Sequence, residues 1–68
     1  MKTISEKIKE LRLQHNYTQQ FVADRLQMDR SNYSKCELGK LDISLEMLKG
    51  LCLLYSVSAD YLIGLKEI

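Results

Sequence analysis

Apolar residues recur along the chain at intervals of three and four, in short blocks separated by polar turns, and this spacing predicts helices throughout. Ile4, Ile8 and Leu11 form the first stripe. It opens on Thr3-Ile4-Ser5-Glu6, a capping box in which Thr3 and Glu6 satisfy each other's free backbone N–H groups. Phe21, Val22 and Leu26 form the second stripe behind Thr18 as N-cap, with small Ala23 on the inner side where another helix passes close. Gln27 and Met28 interrupt the pattern. Asp29 then caps a third helix, which starts at Arg30 and is stopped near Gly39 by a left-handed turn. A fourth helix starts at Ser44, with Leu45, Leu48, Leu51 and Cys52 as its expected inward stripe, while Leu53, Leu54 and Tyr55 carry the apolar run around it. Ser58 caps a short fifth helix bearing Tyr61, Leu62 and Ile63; Gly64 stops it, and Leu65 and Ile68 follow.

Composition agrees with an all-α chain. It has no proline, three glycines and no alternating β-branched run. Its 68 residues make one domain, 1–68, and a chain this short buries only about 60% of the surface it exposes when unfolded. No repeat, linker or low-complexity segment interrupts it. No apolar run reaches the roughly 18 residues that span a membrane, and an amino end carrying Lys2, Glu6 and Lys7 does not resemble a signal peptide, so a cytoplasmic protein is expected. Cys36 and Cys52 are expected on inner helix faces as reduced thiols. His15 has no ligand-like spacing to either, so neither a metal site nor a cofactor is expected.

The third helix carries the candidate chemistry. With Arg30 at zero, Ser34 falls at about 40°, Ser31 at about 100° and Lys35 at about 140°, one contiguous polar face. Tyr33 and Cys36 fall on the opposite side and Asn32 on the boundary. Such a face fits the DNA major groove, where Arg or Lys donates to guanine O6 and N7, although a solvated helix shows the same scatter of charge. The net charge is only +1, well short of a strongly basic binder. Its distribution is uneven: Arg30, Lys35 and Lys40 cluster in and after this helix, whereas Glu46, Asp60 and Glu67 lie in the carboxy-terminal half.

Six short motifs, in order, carry a resemblance: IKELR at 8–12, TQ at 18–19, VADRL at 22–26, E-x-G-K at 37–40, SLEML at 44–48 and VSADYLIG at 57–64. On them the chain resembles the Cro and phage-lambda-repressor type helix-turn-helix family of transcription regulators over nearly its whole length. The resemblance implies a compact five-helix, lambda-repressor-like domain with the helix-turn-helix at about 18–37. It implies a salt bridge between Arg12 and Glu37. Arg30 is the foremost base-reading position, with Ser31 and Lys35 next and Asn32 and Ser34 behind them. Thr18, Gln19 and Lys40 are the expected phosphate contacts, and Gln19 can also brace the first reading residue. The surplus of apolar side chains at 51–68 implies a homodimer through Leu53, Tyr61, Ile63, Leu65 and Ile68, placing two recognition helices about 34 Å apart on a near-palindromic double-stranded operator.

The chain departs from the family pattern at four positions. Gln27 stands where glycine is usual in the turn, Ile43 replaces a proline, and Tyr33 and Cys36 replace aliphatic or Trp core residues. Tyr33 is expected to tilt the helix or lend its hydroxyl to a phosphate. An enzyme is excluded by the want of a phosphate loop or nucleophile–base pair, and no small-molecule effector is expected. The competing reading is a protein-binding module, an antitoxin or accessory subunit, with its partner on the apolar carboxy-terminal surface.

Overall fold

A computed structural model describes residues 2–64, and all regular elements within them are helices. They are α1 (Ile4–Gln14), α2 (Gln19–Arg25), α3 (Arg30–Glu37), α4 (Leu45–Tyr55) and α5 (Ala59–Ile63). None of them is long and apolar enough to cross a membrane. Leu65 and Ile68 lie outside the described residues.

The side chains of Thr3, Thr18, Ser44 and Ser58 each accept a hydrogen bond from the backbone N–H three residues on, filling one of the vacant donors at a helix start. Thr3 and Glu6 complete the reciprocal capping box. Asp29 occupies the N-cap of α3 without capping it. Its carboxylate instead accepts from the Ser31 hydroxyl at 2.8 Å.

Four helices end in the same way. The N–H of Tyr17 reaches the carbonyl of Arg12, Met28 that of Ala23, Lys40 that of Lys35 and Val57 that of Cys52. In each case the residue before the donor is left-handed: Asn16, Gln27, Gly39 and Ser56. This is the Schellman arrangement, which pairs orphan carbonyls and turns the chain sharply. It lets five helices fold back on one another through connections of a few residues.

The core draws on every helix: Ile8 and Leu11 from α1, Val22 and Ala23 from α2, Tyr33 and Cys36 from α3, Met47, Leu51 and Tyr55 from α4, and Leu62 from α5. The inward face of α4 differs from the expected stripe. Met47, Leu51 and Tyr55 are buried, Leu48 and Cys52 are partly buried, and Leu45 is 67% exposed. Two apolar stripes compete on this helix. The one that prevails buries the larger Tyr55 and sets Gly50 against Leu26, whose Cδ2 would lie 2.6 Å from a β-carbon there.

Lys7, which the sequence places among the charged residues of the amino end, is buried. Its Nζ donates to the Tyr61 carbonyl at 2.7 Å and lies 4.8 Å from the centre of the Tyr61 ring. The cation thus joins α1 to α5, its apolar stem covered and its head partnered.

Candidate nucleic-acid interface

Helices α2 and α3 form the helix-turn-helix. Ala23, on α2, is fully buried, and a side chain this small lets a neighbouring helix approach closely. Leu26 ends α2, Gln27 turns the chain at φ 57° and Asp29 begins α3. Helix α3 also packs on α1. Two supports therefore fix its rotation about its own axis.

That rotation turns Tyr33 and Cys36 inward and leaves Arg30, Ser31, Asn32 and Lys35 exposed, with Ser34 partly buried beside them. Lys40 is exposed in the following loop. Thr18 is exposed too, its hydroxyl accepting from the Phe21 N–H at 3.0 Å. The structure thus brings the five candidate base-reading side chains to one surface.

Behind that surface lies a polar network centred on Glu37, whose side chain is 2% exposed. Arg12 Nε donates to Glu37 Oε2 at 2.7 Å and Arg12 Nη2 to Oε1 at 3.1 Å, a two-pronged pair linking α1 to the end of α3. Arg12 Nη1 also holds the Tyr17 carbonyl at 3.0 Å. The Tyr33 hydroxyl donates to Oε2 at 2.5 Å, and Gln19 Nε2 donates to Oε1 at 3.2 Å. Four donors therefore occupy the roughly four acceptor sites of one carboxylate. Burial pushes the Glu37 carboxyl up, but the bonds from Arg12, Tyr33 and Gln19 outweigh it and hold it below its ordinary value. Glu37 is ionised and fully partnered.

Tyr33 corrects one expectation. It is 0% exposed and its hydroxyl is bound to Glu37, so it offers nothing to a phosphate. Burial, then its bond to Glu37, pushes its ionisation far above the ordinary range. The two residues are four apart on α3, a spacing that puts side chains side by side. The pairing was legible there. Gln19 is drawn inward as well, between Glu37 and Arg30, whose Nη1 lies 3.5 Å from Gln19 Oε1. Its approach to Glu37 had no sequence signal, because it depends on how α2 meets the end of α3.

On the carboxy-terminal side, Leu53 is 82% and Ile63 53% exposed. Tyr61 is partly buried, with its ring against Lys7. Leu45, Leu48, Cys52, Leu53, Val57 and Ala59 line much of a shallow apolar groove along α4 and the start of α5. The apolar surface therefore extends farther along α4 than the sequence indicates. Cys36 is buried and Cys52 partly buried, both as free thiols.

Comparison with known proteins places this geometry. The helix-turn-helix family profile matches residues 8–62, from the inner face of α1 through α5. The chain is similar to the HTH-type transcriptional regulator ImmR of Bacillus subtilis (strain 168), at 35% identity over 66 residues, 97% of this chain and 52% of that protein. It is similar also to the SPbeta prophage-derived uncharacterized HTH-type transcriptional regulator YonR of the same organism, at 38% identity over 58 residues, 85% of this chain and 54% of that protein. The chain spans about half the length of these curated relatives. No solved structure matches it. With two helices joined by a left-handed turn, an outward polar face on the second, and a family match across both and their supports, the chain belongs to the helix-turn-helix family of the Cro and phage-lambda-repressor type.

Proposed function

We propose that this chain is a homodimeric transcriptional regulator that binds double-stranded DNA in a sequence-specific manner, with α3 in the major groove of a near-palindromic operator. The observation that carries the reading is the outward face of α3, where Arg30, Ser31, Asn32 and Lys35 stand exposed on a helix anchored from behind through Glu37. Arg30, Ser31 and Lys35 read base edges, with Asn32 and Ser34 in support. Thr18 and Lys40 face the phosphates and set the register of the helix on the duplex, while Gln19, engaged by Glu37 and Arg30, braces the reading residue instead. The exposed Leu53 and Ile63 support the dimer. A dimer seated on its operator excludes other proteins from the same grooves, so regulation takes the form of repression.

A second reading, a protein-binding module of the same fold, is favoured by the apolar surface around Leu45 and Leu53. The two differ in their response to salt. Binding that neutralises phosphates weakens steeply as salt rises, whereas a complex formed through leucines hardly responds.

Selection of bound sequences from a random duplex pool, repeated with Arg30→Ala, tests the proposal. A symmetric site is expected, with preference relaxed at one base pair per half-site in the variant. Selection of no common sequence, or a site that Arg30→Ala leaves unchanged, would overturn it.

A further inference from the structure

Gln19 lies between two groups of opposite hydrogen-bonding character, and together they leave its amide one orientation. A carboxylate oxygen only accepts, so the nitrogen of Gln19 must face Glu37 Oε1, as it does at 3.2 Å. A guanidinium only donates, so the amide oxygen must face Arg30 Nη1, as it does at 3.5 Å. Turning the amide over would set donor against donor and acceptor against acceptor. Arg30, the exposed residue at the start of α3, is thereby coupled to a buried carboxylate that it does not touch.

Tyr33 governs the other side of that carboxylate. Its hydroxyl and Arg12 Nε fill Oε2, while Arg12 Nη2 and Gln19 fill Oε1. If the hydroxyl is removed, Oε2 has a free acceptor site in a buried place, where an unmet polar group is costly. Gln19 carries a second N–H on the nitrogen that already faces Glu37. Moving toward the free site draws the amide oxygen away from Arg30.

We propose that Tyr33, acting through Glu37 and Gln19, is a positioning residue that sets the aim of Arg30 and so the base preference at one operator position. This rests on the reading of Arg30 as a base-reading residue. Arg30 has several rotatable bonds and points into solvent, so without a brace it samples many directions. Held by Gln19 at Nη1, it presents a restricted set of donors to the groove. The buried tyrosine on the inner face of α3 thus controls what the outer face of the same helix selects.

The test uses the full chain, the duplex that it selects from a random pool, and every single-base-pair variant of that duplex, with Arg30→Ala locating the pair that Arg30 reads. Tyr33→Phe is expected to lower the preference at that pair by about fivefold, leaving the preference at other pairs within about twofold. Gln19→Met should lower it at least as much, and the double variant no further than Gln19→Met alone, because the route from Tyr33 then ends before Arg30. An unchanged preference in Tyr33→Phe, a uniform loss at all pairs, or a double variant whose losses multiply would overturn the proposal. The side-chain amide of Gln19 in the wild-type chain gives a reading that does not depend on how Tyr33→Phe folds. The amide proton that faces Glu37 is expected by NMR to be protected from exchange with water, and free exchange of that proton overturns the anchoring. Selection of no duplex would refute the DNA reading itself, a result distinct from a selected duplex whose preferences Tyr33→Phe does not move.

Discussion

Leu26 occupies the space into which a β-carbon on Gly50 would project, with its Cδ2 2.6 Å from that point. Leu26 closes α2 and Gly50 lies in the interior of α4, so the glycine lets the helix-turn-helix settle onto the helix behind it. A glycine inside a helix costs roughly 0.8–1 kcal/mol relative to alanine. Close approach is the compensating gain at this position.

Gly50→Ala should therefore act differently in two backgrounds. In the wild-type chain the helix gain is offset by displacement of the end of the Leu26 side chain, and a net change near zero is expected. With Leu26→Ala already in place, the same substitution should stabilise by about 1 kcal/mol. Urea melts of the four proteins decide it, and equal effects in both backgrounds would rule out the contact as the reason for the glycine.

Glu37 makes stability depend on pH. The bonds from Arg12, Tyr33 and Gln19 outweigh burial and hold its folded pKa below the ordinary 4.5, so the unfolded chain binds its proton more readily. This contribution is complete above that value and is lost as pH falls through the lower folded pKa. Glu37→Gln should be less stable than wild type by about 3–5 kcal/mol at pH 7, because Arg12 is left buried without its counter-charge. The gap should narrow on acidification below pH 4.5. A gap that stays constant down to acid would show that the carboxylate is not held by its donors.

Tyr55 is buried, and its hydroxyl has no hydrogen-bond partner among the described residues. Its ring packs 5.0 Å from His15 and 6.2 Å from Tyr17, centre to centre. Tyr55→Phe keeps the ring and removes the unmet group, so stabilisation by about 1 kcal/mol is expected. Burial, with Glu37 adding to it, pushes the hydroxyl up to about 12. A group held neutral in this way loses its stabilising share as pH rises from its ordinary 10 toward that value. The variant should lose less stability over that range. Destabilisation by Tyr55→Phe at neutral pH would mean that the hydroxyl is satisfied after all.

Gln27 turns the chain between α2 and α3 at φ 57°, a conformation that a side chain with a β-carbon disfavours. Gln27→Gly should raise stability by up to about 1 kcal/mol, the relief of strain being partly offset by the greater freedom of glycine when unfolded. Thermal melts measure this. A lowered melting temperature would show that the Gln27 side chain contributes contacts worth more than the strain.

The helices and their caps were legible because each is a local matter. Thr3, Thr18, Ser44 and Ser58 stand immediately before an apolar run, and a hydroxyl there meets free N–H groups whatever the rest of the chain does. Asp29 shows the limit of that reasoning. It holds the right position, yet Ser31, two residues away, offers its carboxylate a competing donor.

Helical period and local hydrogen bonding, both written in neighbouring residues, determined from the sequence alone that this chain is all-α, where its five helices lie, and that Arg30, Ser31 and Lys35 share a face. The tertiary structure decided what long-range packing controls. It chose between two apolar stripes on α4, buried Lys7 against α5, set Leu26 over Gly50, and drew Gln19 onto Glu37. Each of these depends on the angle at which one helix meets another, which is settled only when all the side chains compete for the same core.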